Sequence, residues 1–218
     1  MTYKEICANK EVLEYYKKGN EILGSLGYTD HSTAHTKLVA ERTGEILTVF
    51  GYSYKEIELG MIAGFMHDIG NALNRSHHAE YGALLANEIL RGTDMPMVDR
   101  VAVVSAIANH DETTGYASDA MTAAIIIADK SDVRRSRVRT RDRSQFDIHD
   151  RVNYAVTGSD LEFSPDRKQI VLSLTIDEEI CTMYDYFEIF FGRMMMCTKA
   201  AHVLGAEFSL TVNGRKIL

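Results

Sequence analysis

Apolar residues recur at helical spacing over most of the first 134 positions. Over 3–24, Ile6, Val12, Leu13, Tyr16, Ile22 and Leu23 make a loose stripe that Gly24 and Gly27 end. Over 33–50, Leu38, Val39, Ile46, Leu47 and Phe50 share one face, and Gly51 follows. The segment 54–69 is apolar nearly all round, which predicts a central helix starting at Ser53 and stopping at Gly70. Further helices are predicted over 77–91, over 95–110 with Pro96 in the first turn, and over 119–134 with the run Ile125-Ile126-Ile127-Ala128. Six arginines then crowd 134–143, as a helix end or a loop. After that the period shortens to two. Residues 161–163 and 168–176 predict a hairpin turning at Ser164-Pro165-Asp166, with Ile170, Leu172, Leu174 and Ile176 on one face. A very apolar helix is expected over 178–204, then a short strand carrying Phe208, Leu210 and Val212 and a turn at Asn213-Gly214. The pattern predicts a mainly α protein, with a helical core over 1–155 and a small α+β extension over 156–218 packed on it.

Polar residues of one chemical kind interrupt the apolar faces. Six of the eight histidines lie between 31 and 110. His35 is in phase with Leu38, Val39 and Ile46; His78 with Gly82, Leu85 and Ile89; His110 with Val103, Ala106 and Ile107. His67-Asp68 ends the apolar stretch from Met61 to Met66, and His67 is in phase with the small residues Gly60, Ala63 and Gly64. Asp129 is in phase with Ile125 and Ile126. Taken singly, each histidine reads as a core residue bonded to a carbonyl, and Asp129 as a helix-end carboxylate paired with an arginine. Together they would be costly as separate buried groups. One shared metal centre removes that cost, and nitrogen and oxygen ligands suit first-row transition metals. His31 reads as a supporting residue, a substrate contact or a loop residue. His77 and His78 face different ways, and the apolar face belongs to His78.

Composition narrows the setting. The net charge of −7 argues against general affinity for nucleic acid or anionic membrane. Three cysteines at no metal-like spacing predict free thiols in a reducing, cytoplasmic compartment. No signal core and no membrane-spanning run is expected. The apolar excess between Tyr184 and Ala200 is read mainly as core of the extension and partly as a homodimer interface.

Several pieces of the chain resemble the HD-domain superfamily of metal-dependent phosphohydrolases. They are His35-Thr36-Lys37-Leu38-Val39-Ala40, Phe65-Met66-His67-Asp68-Ile69-Gly70, His78-Ala79-Glu80-Tyr81-Gly82-Ala83, Ile107-Ala108-Asn109-His110 and Ile127-Ala128-Asp129-Lys130, covering roughly residues 28–135. The bare dipeptide is common; the ordered set in helical context is specific. The resemblance implies an HD-domain helical bundle and a first metal held by His35, His67, Asp68 and Asp129. His78 and His110 resemble the further pair of two-metal subgroups, with Asp68 bridging two ions of Fe, Mn, Zn, Co or Ni. Asn71 departs from the lysine that many members carry there.

The expected chemistry is hydrolysis of a phosphoester or phosphoanhydride, of a nucleotide by preference. A divalent metal lowers the pKa of bound water from 15.7 to about 7 and so provides hydroxide near neutral pH. Asp68 and Asp129 are the candidate catalytic carboxylates that orient the nucleophile. Lys130, Arg134, Arg135 and His31 are the candidate substrate contacts, because arginine forks suit phosphate oxygens. A solvated basic helix end explains Arg134 and Arg135 equally well, and Arg137 to Arg143 read as surface or interface. Asp132 is expected to pair with Arg75 or with one of these arginines. The alternative function is a nucleotide- or metal-binding regulatory module without turnover, resting on Asn71 and the unassigned tail. A nucleic-acid phosphodiesterase is disfavoured by the acidic balance.

Overall fold

In the computed structural model, which describes residues 1–140 and 142–218, most of the helices begin where side chains cap them. Arg141, one of the six clustered arginines, lies outside the described residues. The Asn9 side chain accepts from the N–H groups of Glu11 and Val12, so the stretch expected as one helix is two, α1 (Tyr3–Cys7) and α2 (Lys10–Ser25). Ser32 caps α3 (Thr33–Val49). Ser53 and Glu56 cap α4 (Tyr54–Met66) reciprocally. α5 (His78–Arg91) and α6 (Met97–Ala108) follow, with Pro96 just before α6 rather than inside it. Asp119 caps α7 (Ala120–Lys130), and Asp147 caps α8 (Ile148–Ala155), a short helix that the apolar pattern did not suggest. Thr182 and Asp185 cap α9 (Met183–Val203).

Small residues let the central helices close on one another. A Cβ on Gly64 would lie 3.1 Å from the Ala40 Cα, so α3 sits tightly against α4. α4 stops at Met66, and Ile69–Ala72 makes one 3-10 turn. A Cβ on Gly70 would overlap the His78 carbonyl oxygen and the Gly82 nitrogen. Glycine there allows the turn after Asp68 to abut the start of α5, which brings His78 beside Asp68.

Two apolar cores meet at α7. One gathers α1, α2, α4, α5 and α6 around Phe65, Met66, Leu90 and Ile107, and takes Ile125 from α7. The other takes Ile126 and Ile127 from α7 and packs them with α3, α9 and the sheet, including Leu172, Phe190 and Leu210. The solid isoleucine run is therefore buried on all sides.

The small sheet has the order β1-β2-β3-β4, from Val156–Phe163, Gln169–Ile176, Glu207–Val212 and Arg215–Lys216. β1 and β2 are antiparallel, β2 and β3 are parallel, and α9 crosses between the parallel pair. β1 starts earlier than expected: after the buried Val156 come Thr157, Gly158, Ser159 and Asp160, which carry no apolar alternation, with Thr157 facing solvent and Ser159 buried. Asn213 and Gly214 both have positive φ, 49° and 75°, as a two-residue hairpin turn needs. Much of the apolar excess in α9 is core, with Tyr186, Phe190, Met194 and Cys197 buried, while Tyr184, Phe191 and Met195 stay exposed. Among the described residues the three cysteines are free, and no helix is long and apolar enough to cross a membrane.

Candidate metal centre

Four helices and the turn after α4 deliver their ends to one buried point. His35 comes from the first turns of α3, His67 and Asp68 from the end of α4, His78 from the start of α5, His110 from just beyond α6, and Asp129 from the last turn of α7. All but Asp129 are at most a few per cent exposed. The His35 Nε2 lies 3.2 Å from an Asp129 oxygen and 3.7 Å from an Asp68 oxygen. The His67 Nε2 lies 3.5 Å from Asp68 and 3.7 Å from Asp129. The His78 Nε2 lies 3.5 Å from the other Asp68 oxygen and 3.1 Å from the His110 Nε2. Two overlapping groups, His35 with His67 and Asp129, and His67 with Asp68 and His110, each bring their ligand atoms within 4.8 Å of one another. The six residues singled out as ligands from the sequence thus lie together.

The orientation of the rings carries more information than their proximity. Each imidazole turns its Nδ1 to an oxygen acceptor: His35 to Asp132 at 2.7 Å, His67 to the Gly64 carbonyl at 2.7 Å, His78 to the Arg75 carbonyl at 3.0 Å and His110 to the Ile107 carbonyl at 2.7 Å. An acceptor at that distance requires the proton on Nδ1. The Nε2 atoms therefore face inward, and those of His78 and His110, which burial keeps neutral, face each other with their lone pairs. Two buried lone pairs at 3.1 Å repel unless a cation lies beside them. The His35 and His67 Nε2 atoms are buried with no hydrogen-bond partner. Nδ1 tied down and Nε2 offered is how a histidine is prepared for a metal. These residues fit a divalent transition metal and could hold one.

The electrostatics agree. Burial alone would lower the pKa of His67, but the Asp68 and Asp129 carboxylates outweigh it and push it up to about 10, so the centre attracts positive charge. Burial disfavours both carboxylates too. Even so, His67 holds Asp68 well below the usual range, and Lys130, with the histidines, does so for Asp129. At the other end, burial pushes His110 down to about 3, and the neighbouring His67 and His78 add to it.

The surroundings differ from the sequence expectation in several places. Asp132, expected to pair with an arginine alone, orients His35 and also takes Arg134. Arg134 is therefore spent on bracing Asp132. Arg135 donates to the Tyr154 carbonyl and stacks 4.4 Å over the Tyr154 ring. Neither arginine lines the cavity of about 340 Å³ that opens onto the centre. Lys130 and His31 do line it, with Lys130 in ion pairs to Asp129 at 2.6 Å and Glu112 at 2.7 Å. His31 donates its Nδ1–H to the Thr29 carbonyl. Arg137, read as surface, is buried, bonds the carbonyls of Asp30 and Asp132 and lines the cavity. Two further lining arginines were not singled out as substrate contacts: Arg193, and Arg75, which was expected as a partner of Asp132 but lies by Asn71 and Asp68 instead. Asp111 was also missed; its carboxylate lies 3.7 Å from the His78 Nε2. The one signal for it was its place directly after His110 at a helix end, the same arrangement as Asp68 after His67.

Asn71 has a definite task. Its side-chain NH2 donates to the Asp68 carboxylate at 2.8 Å, and its carbonyl accepts from Arg75 at 3.2 Å. Arg75 itself comes within 3.9 Å of Asp68 and lies over the Tyr28 ring. A cation thus stands beside Asp68 without a lysine at position 71.

Fold and site define a mainly helical protein with a small C-terminal four-stranded sheet and a buried His/Asp cluster able to hold metal. No family model matches the chain. Over 173 residues it is 27% identical to an uncharacterized protein of Methanocaldococcus jannaschii, across 68% of this chain and 66% of that protein. The matched region thus spans just under two thirds of that relative, whose name assigns it no activity.

Proposed function

We propose that the protein is a metal-dependent phosphohydrolase of the HD-domain type, acting on a small phosphorylated compound such as a nucleotide. The observation that carries this reading is the set of four imidazoles with Nδ1 anchored and Nε2 turned inward around Asp68 and Asp129. His35, His67, Asp68 and Asp129 would hold one divalent ion; His78 and His110, with Asp68 between the two groups, would hold a second. Bound there, the ions would supply an acidified water as nucleophile and positive charge to offset the negative charge building up on the phosphoryl oxygens.

The chain's own groups do the rest. Asn71 fixes the rotation of Asp68 through its hydrogen bond, so that both carboxylate oxygens keep their directions. Asp132 fixes the imidazole plane of His35. Lys130, buried between Asp129 and Glu112, holds Asp129 in place and keeps a positive charge at the cavity wall. Arg75, stacked over Tyr28 and beside Asp68, presents its remaining N–H groups where a phosphoryl oxygen would lie. Asp68 and Asp129 are the carboxylates placed to orient a water at the centre.

The test is metal analysis of the purified protein, followed by a panel of phosphomonoesters, phosphodiesters and nucleotides assayed with Fe, Mn, Zn, Co and Ni in turn. Bound metal and turnover of at least one class are expected. Full metal occupancy with nucleotide binding and no turnover would convert the reading to a regulatory module. A protein that takes up none of these metals sinks both.

A further inference from the structure

The C-terminal part of the chain reaches the cavity through α9, where Phe190 and Arg193 line it. Arg193, on α9, lines the same cavity as Asp68, His78 and Asp129. Its Nε donates to Glu112 at 3.1 Å, and its guanidinium lies 4.8 Å from the centroid of the buried Phe190 ring. Glu112 also takes Lys130, and Lys130 takes Asp129. A line of alternating charges therefore runs from the metal ligand to α9 and fixes where the guanidinium stands. Only the Nε of Arg193 is used; among the described residues its two terminal nitrogens bond to no protein group, and the side chain keeps 26% of its surface open.

Arg75 and Arg193 occupy different parts of the cavity wall. Arg75 is next to Asp68 and serves a group bound at the centre. Arg193 is joined to Asp129 only through Glu112 and Lys130, and makes no ion pair with Asp68 or Asp129 among the described residues. The third lining arginine, Arg137, already donates to two backbone carbonyls. A planar guanidinium held by one edge and one face, with its free fork toward a cavity, matches the oxygens of a phosphoryl group.

We propose that Arg193 is a specificity-determining residue that binds a second phosphoryl group of the substrate, so that the site prefers compounds carrying two phosphoryl groups over those carrying one. The inference rests on the reading of the His/Asp centre as the place of the first phosphoryl group. It gives α9 a role at the site: it supplies the recognition of the part of the substrate that does not react.

Binding distinguishes this from turnover. Methylphosphonate and methylenediphosphonate, which cannot be hydrolysed, are titrated into the full-length protein by calorimetry with Mn²⁺ in excess. The unmodified protein is expected to favour the diphosphonate. Arg193→Met is expected to reduce that preference by about tenfold or more, with methylphosphonate affinity unchanged within about twofold. Arg193→Lys, which keeps the charge without the fork, is expected to recover part of it. An unchanged ratio in Arg193→Met, an equal loss on both probes, or a protein that binds neither probe overturns the assignment. Phosphoester turnover by the unmodified protein is measured separately. An inert protein with an Arg193-dependent preference loses the hydrolase reading and keeps this one. An active protein whose preference ignores Arg193 does the opposite.

Discussion

The two ligand groups of the centre meet at Asp68 but are supported differently. In the group with His35 and Asp129, the supports are charged: Asp132 behind His35 and Lys130 beside Asp129. In the group with Asp68, His78 and His110, backbone carbonyls hold the rings and the neutral Asn71 holds the carboxylate. A carboxylate behind an imidazole raises the basicity of the nitrogen it offers, whereas a carbonyl mainly orients it. If the centre holds two ions as proposed, the His35 side would be the tighter of two unequal sites and the His78 side the more exchangeable. The largest test removes what they share. Asp68→Ala should abolish stoichiometric metal and phosphoester turnover together, read by elemental analysis and by the substrate panel. It should also erase the rise in melting temperature that saturating metal gives the unmodified protein, a stabilisation of about 4 kcal/mol at a thousandfold excess over Kd. A variant that keeps both metals would remove the shared-ligand picture.

The next changes separate the groups. His78→Ala leaves His35, His67 and Asp129 in place, so about half of the bound metal should remain, with turnover lost. Equal loss of both equivalents would show one cooperative site instead of two unequal ones. Asp132→Asn acts on the opposite side. Its expected effect is about 10–100-fold weaker binding of the tighter metal, with the weaker site unmoved, measured by competition against a chelating dye. If the weaker site shifts as much, the carboxylate behind His35 does not account for the inequality.

The same contrast explains which parts could be read from the chain alone. His35, His78 and Asp129 sit on helices, and His110 two residues past the end of α6, each in phase with an apolar face, so periodicity pointed each one inward. His67-Asp68 stood out because a polar pair closed an apolar run. The supports were harder to find. Asp111 and Asp132 lie just past helix ends, where no period applies, and their roles depend on which helix lies opposite. Arginines mislead for a further reason: a long side chain can leave its neighbourhood in the chain, so Arg134 and Arg135, close to Asp129 in sequence, turn away, while Arg193 arrives from α9. In the fold, strong helices and the alternating strand β2 were legible. The break at Asn9, the short α8 and the polar start of β1 were not, because each is set by a cap or a strand partner and not by apolar content.

The smallest test concerns Asn71, the residue that stands where the resemblance to HD-domain proteins leads one to expect lysine. Asn71 is buried, donates to Asp68 and accepts from Arg75, so it links the exchangeable ligand group to the cation at the cavity mouth. Asn71→Ala removes three bonds, to the Asp68 carboxylate, to the Asp68 backbone carbonyl and from Arg75, and loosens the hold on the Asp68 carboxylate. A hydrogen bond to a charged group contributes about 1.5–3 kcal/mol, and Arg75 can close part of the gap. The expected result is a stability loss of about 1–2 kcal/mol in denaturant unfolding and less than about tenfold weaker metal binding, confined to the His78 side. Asn71→Lys is the sharper companion. If position 71 only needs a cation near the phosphoryl group, lysine should leave activity intact. If Asn71 works by aiming Asp68 while Arg75 supplies the charge, as the hydrogen bonds indicate, lysine should lower metal occupancy on the His78 side although it adds a positive charge. Retained occupancy and retained turnover in Asn71→Lys would reverse the order of importance between the two roles.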